Sequence, residues 1–100
     1  MSTRDFRNIY DLSDEQLENL DKAEEMLELQ HLNGAEELLL NMLETSPKCI
    51  PVLNNLGVLY GKYFLEYEKA IGYYNQVLEL EPSNEWARNE RRRYERYVTY

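Results

Sequence analysis

The sequence predicts an all-α protein: two antiparallel helix hairpins followed by one closing helix. Three observations predict it. Apolar residues recur at helical spacing in five segments, so that each segment presents one apolar face. Residues that start and stop helices stand between those segments, at Ser13, Asn33-Gly34, Ser46-Pro47, Pro82 and Ser83-Asn84. The chain also repeats itself. Ala23 and Gly57 lie 34 apart, as do Met26 and Tyr60. Ala35 and Ala70, Leu39 and Tyr74, Met42 and Val77, Leu43 and Leu78, and Pro47 and Pro82 all lie 35 apart.

The elements follow in order. Residues 1–12 form an arm without helical periodicity, yet Phe6, Ile9 and Tyr10 are costly to leave in water. Ser13 and Gln16 have capping-box spacing, with Asp14 and Glu15 at the positive end of the helix they open. That first helix is expected from Asp14 to about Leu29, with Leu17, Leu20, Ala23, Met26 and Leu27 at helical spacing. His31 to Gly34 should turn the chain, with Asn33-Gly34 as the breaker pair. A second helix, Ala35 to about Thr45, should bury Leu38, Leu39, Met42 and Leu43. Ser46-Pro47 ends it. The third helix is expected from Pro51, where proline suits a first turn, to Tyr63. The fourth runs from Tyr67 to Leu80, and Ser83-Asn84 caps a fifth from Glu85 to about Val98. The step in period from 34 to 35 places one extra residue between Tyr60 and Ala70. It is expected in the Gly61–Glu66 turn, because an insertion within a helix rotates its apolar face by about 100°.

The stretch Leu53–Pro82, LNNLGVLYGKYFLEYEKAIGYYNQVLELEP, carries Leu53, Leu56-Gly57, Tyr60, Ala70, Tyr74 and Pro82 in that order. It resembles the tetratricopeptide repeat (TPR), a helix hairpin with a period near 34 residues. The preceding copy is weaker, since Asn19 and Lys22 stand where the family has an aromatic and a Leu. The resemblance implies a right-handed superhelix: a TPR-like repeat over 13–49, a second over 50–84 and a capping helix over 85–100. Gly57 and Ala70 would be small because two helices cross there, where a bulkier side chain overpacks by about 1–3 kcal/mol.

Charge narrows the function. The net charge of −8 is unevenly spread: residues 1–47 carry three Lys and Arg against twelve Asp and Glu. Residues 85–100 carry five Arg against three Glu. The acidic front disfavours general nucleic-acid binding, which needs clustered cations, and suits basic partners. No apolar run approaches the roughly twenty residues of a membrane span, and the first residues do not form a secretory signal. The lone Cys49 leans toward a reducing, cytoplasmic setting.

The resemblance also implies where a ligand lies, in a concave groove lined by the first helix of each hairpin. Leu20, Glu24, Leu27 and Glu28 would form one wall, Asn54, Val58, Gly61 and Lys62 the floor, and Asn89 and Arg93 the opposite wall. Glutamates would attract basic side chains, asparagines would hold backbone and leucines would supply apolar area. Leu17, Leu20 and Leu27 put so much apolar surface on that side that something should cover it. A peptide, a second copy of the chain or the Phe6–Ile9–Tyr10 arm would serve. The family's carboxylate clamp is not expected. Of its five positions only Asn55 is kept; Leu20, Glu24, Trp86 and Glu90 replace the rest.

Other chemistry is thin. Glu24-Glu25 and Glu36-Glu37 are consecutive and diverge on a helix, His31 and Cys49 lack companions for a metal site, and no phosphate loop is present. The expectation is a non-enzymatic adaptor or scaffold, without cofactor, that binds a peptide segment of a partner protein. The rival is a homodimeric assembly unit using the same apolar strip. A lesser alternative is RNA contact through Arg91, Arg92 and Arg93 with Tyr94, Tyr97 and Tyr100.

Overall fold

The structure is a computed structural model that describes residues 10–98. Phe6 and Ile9 of the arm, and Tyr100, lie outside the described residues. Those residues are all-α, with five helices and no strand: α1 (Asp14–Glu28), α2 (Leu32–Thr45), α3 (Ile50–Val58), α4 (Tyr67–Leu80) and α5 (Glu85–Glu95). A π-helical segment, Leu59–Tyr63, continues α3. The chain divides into two compact units, residues 1–52 and 53–100.

In the first unit α1 packs against α2. The capping box forms as expected: Ser13 Oγ accepts from the Gln16 backbone N–H at 3.1 Å, and Gln16 Oε1 accepts from the Ser13 N–H at 2.9 Å. Gln16 Nε2 also donates to Ser46 Oγ at 3.3 Å, tying the start of α1 to the end of α2. The turn between them is not where the breaker pair put it. Gln30 takes a left-handed conformation at φ 60°, the His31 N–H donates to the Met26 carbonyl at 2.8 Å, and the Gln30 N–H donates to Leu27 at 3.1 Å. These two bonds close a Schellman turn with glutamine in the usual glycine place. The turn is thus complete before Asn33-Gly34, and both residues lie in the first turn of α2.

The buried residues of this unit include Leu17, Leu20, Ala23 and Leu27 of α1 and Ala35 and Leu39 of α2. Leu20 is fully buried and Leu27 is 5% exposed, which corrects their assignment to an open groove wall. They share a stripe with Ala23, one turn apart on either side, and the stripe is core. Conversely Leu38, Met42 and Leu43, expected inside with Leu39, are only half-buried.

In the second unit α4 packs against α5 and against the π-helical segment. Asn84 caps α5, its Oδ1 accepting from the Ala87 N–H at 2.9 Å. Arg91 Nη1 donates to Asn75 Oδ1 of α4 at 2.9 Å. The helix ends at Glu95 rather than near Val98. The core is built on two tyrosines, each seated on a glycine. A Cβ at Gly57 would lie 2.5 Å from Cζ of Tyr74, and one at Gly61 would lie 2.5 Å from Cζ of Tyr94. The two rings stack at 6.2 Å, and Trp86 meets Tyr74 edge-on at 5.6 Å. Gly61, expected on the groove floor, is therefore a buried seat.

The extra residue of the longer period is absorbed earlier than expected. From Leu59 the helix widens, so that the Phe64 N–H reaches the Leu59 carbonyl at 3.0 Å. A π turn takes up an inserted residue locally and spares the preceding α-helical face the rotation an insertion would cause. The segment closes with Leu65 left-handed at φ 57° and the Glu66 N–H bonded to Tyr60 at 2.7 Å.

Candidate functional site

Each unit presents its own surface. In the first, a cleft of about 480 Å³ opens between α1 and α2, lined by Glu15, Gln16 and Asn19 on one side and Leu38, Asn41 and Met42 on the other. Its origin is legible in the repeat. Asn19 lies 34 residues before Leu53, which is fully buried. A carboxamide there has leucine's shape without its apolar surface, so nothing drives the space beside Leu38, Met42 and Val52 to close. The cleft was not anticipated from the sequence, although the departure at Asn19 was its signal. Tyr10 lines a second hollow of about 410 Å³ with Leu12, Pro47 and Ile50.

The remaining α1 residues assigned to the groove divide by depth. Glu24 is half-buried and Glu28 exposed, while Leu20 and Leu27 are core. Around the helix, Glu28 lies more than 90° from the cleft-lining Asn19 and Gln16. The groove glutamates and the cleft therefore belong to different faces of α1.

In the second unit, Asn54 and Val58 are half-buried and Lys62 is exposed, spaced four residues apart along α3 and its π continuation. Lys62 Nζ sits 5.5 Å from the centroid of the Tyr63 ring. Asn54 Oδ1 is buried and has no hydrogen-bond partner. The Tyr74 hydroxyl, over Gly57 one turn further on, is likewise buried and unpartnered. Burial pushes the Tyr74 hydroxyl well above its ordinary acidity range, with the neighbouring Tyr94 and Glu90 adding to the effect and Arg93 opposing it. Tyr94 is raised as well, chiefly by burial.

Asn89 and Arg93 lie exposed on α5, and Arg93 Nη2 is 3.7 Å from Glu90 Oε1. Trp86 is 45% exposed while meeting Tyr74 of α4 edge-on, and Tyr97, just beyond the end of α5, is 62% exposed while stacked on Tyr67 at 4.8 Å. Trp86 and Arg93, two turns apart, fall within about 20° of each other around the axis of α5. They form an aromatic–arginine stripe, with Tyr97 just past the end of the helix.

Among the described residues, no group of three or more His, Cys, Asp and Glu side chains is placed to hold a metal ion. No helix among them is long and apolar enough to cross a membrane. Comparison of the chain with protein-family models, curated proteins and solved structures finds no match. The fold defines the class at its broadest, an all-α protein of helical hairpins.

Proposed function

We propose that the protein is a small TPR-like interaction module that holds an extended segment of a partner protein along α3 and its π continuation. The observation that carries this proposal is Asn54 Oδ1. A buried acceptor left without a donor costs about 1–3 kcal/mol. A partner's backbone N–H would recover that cost once the half-buried Asn54 side chain turns its enclosed oxygen outward, with Val58 offering apolar area and Lys62 a charge beside it. The glycine seat at Gly57 supports the family resemblance, because it puts the smallest residue where the motif has it and gives it a packing reason. Glu28 is exposed on α1, where it can meet basic side chains, whereas Leu20 and Leu27 serve the core instead.

A random peptide display library, panned in parallel against the natural protein and Asn54→Leu, tests the assignment. Leucine is close to asparagine in size and removes the orphan acceptor without opening a cavity. The expected result is a family of clones that bind the natural protein and are lost on Asn54→Leu. Equal enrichment on both proteins, or none on either, would refute the assignment of this face.

A further inference from the structure

The cleft of the first unit and the stripe on α5 are opposite in charge. The cleft is concave, with apolar Leu38 and Met42 between carboxamides and the Glu15 carboxylate at its edge. Its volume falls within the roughly 300–1,000 Å³ of pockets that enclose a bound group. The surrounding surface is strongly negative, since residues 10–52 carry eleven Asp and Glu against two Lys. The stripe on α5 is exposed, with Trp86 and Arg93 two turns apart and Tyr97 just past the helix end, and residues 85–98 carry five Arg against three Glu. Trp, Tyr and Arg are the side chains that dominate binding energy at protein interfaces.

We infer that a second copy of this chain fills the cleft: the α5 stripe of one molecule docks between α1 and α2 of another. Trp86 supplies apolar volume to the space that Asn19 leaves open, and Arg93 meets Glu15 at the rim. Charge complementarity selects this occupant, because an acidic cleft and a basic helix on the same chain attract each other between copies. The contact pairs two different patches, so it builds either a reciprocal dimer or a head-to-tail series. It uses neither Asn54 nor Val58, and therefore stands or falls separately from the peptide groove. Arg93, placed by the sequence on the far wall of that groove, acts here instead.

Sedimentation velocity of the full chain at rising concentration, up to about 1 mM to include the weakest specific contacts, reads the association directly. Trp86 is the single tryptophan, so its emission reports whether it becomes buried as the mass rises. The expected result is a mass that climbs with protein, falls with added salt and tracks a blue shift of the Trp86 emission. Glu15→Arg and Arg93→Glu each replace attraction by like-charge contact and should weaken association at least about tenfold. Both residues are exposed, and circular dichroism checks that the helices are retained. An equimolar mixture of the two variants restores opposite charges across the contact and should associate again, as should the double variant. A natural protein that stays monomeric throughout overturns the inference. So does association that neither charge reversal weakens, or a mixture that stays as dissociated as its components.

Discussion

Four glycines on four helical turns should respond to the same substitution in opposite ways. Gly57→Ala adds a methyl 2.5 Å from Cζ of Tyr74, where carbon atoms ordinarily meet at about 3.5–4.0 Å, so the ring must retreat by roughly 1 Å. It has nowhere to go. Tyr74 is fully buried, with Tyr94 stacked on it at 6.2 Å and the edge of Trp86 at 5.6 Å. The cost belongs at the upper end of the about 1–3 kcal/mol range for overpacking, against about 1 kcal/mol gained by alanine in a helix. The net loss is about 2 kcal/mol. Gly61→Ala meets Tyr94 at the same 2.5 Å and should lose a similar amount. At Gly72, in the middle of α4, a Cβ meets nothing within 4 Å, so Gly72→Ala should gain about 1 kcal/mol. Gly34→Ala places its methyl 3.6 Å from Met26 Sδ, an ordinary contact, and should gain up to the same amount. Urea unfolding followed by circular dichroism measures all four, and thermal midpoints should move by about 4–8 °C per kcal/mol. If Gly57→Ala proved as stable as the natural chain, Gly57 would not be a seat and the packing described around Tyr74 would be wrong.

Further outcomes follow from the same packing. Tyr74→Phe removes a buried hydroxyl without a partner and should leave stability unchanged or raise it by about 1 kcal/mol, as measured by urea unfolding. Tyr74 and Tyr94 hold their protons more tightly folded than unfolded. Their contribution is therefore complete below pH about 10 and lost as the pH rises past the ordinary tyrosine value. A stability profile from pH 8 to 12 should fall at its alkaline end, and less so in Tyr74→Phe; an identical fall would remove Tyr74 as a cause. Asn19→Leu puts in the first unit what Leu53 supplies in the second, and should add about 1 kcal/mol by drawing the cleft walls together, which reduces self-association in sedimentation. Leu65→Gly relieves a left-handed backbone on an exposed side chain; a small gain of up to about 1 kcal/mol is expected in thermal unfolding, and a clear loss would contradict it.

Much of this protein is local and was legible as such. The capping box at Ser13 and Gln16, the Asn84 cap of α5, and the span of α4 follow from residues within a few positions of one another. So does the demand for a small residue at Gly57, which the repeat pattern exposes even without a contact in view. Where an element met another through space, the sequence was a poorer guide. Leu17, Leu20, Ala23 and Leu27 lie within about 120° of one another on α1, and it was the repeat alignment, with Asn19 and Lys22 at core positions, that turned this face outward. The turn at Gln30 depends on two backbone bonds to Met26 and Leu27, and these made the breaker pair at Asn33-Gly34 unnecessary. Gly61 looked like surface because its helix was taken as α-helical to Tyr63; the π turn from Leu59 and the Tyr94 ring decide otherwise. The cleft at Asn19 is the last case, since a polar residue at a core position becomes a cleft only once the neighbours around it are in place. The sequence by itself determined where the helices run and which residues must be small. Tertiary packing decided which faces they bury, because burial is a property of pairs of surfaces and a sequence displays one surface at a time.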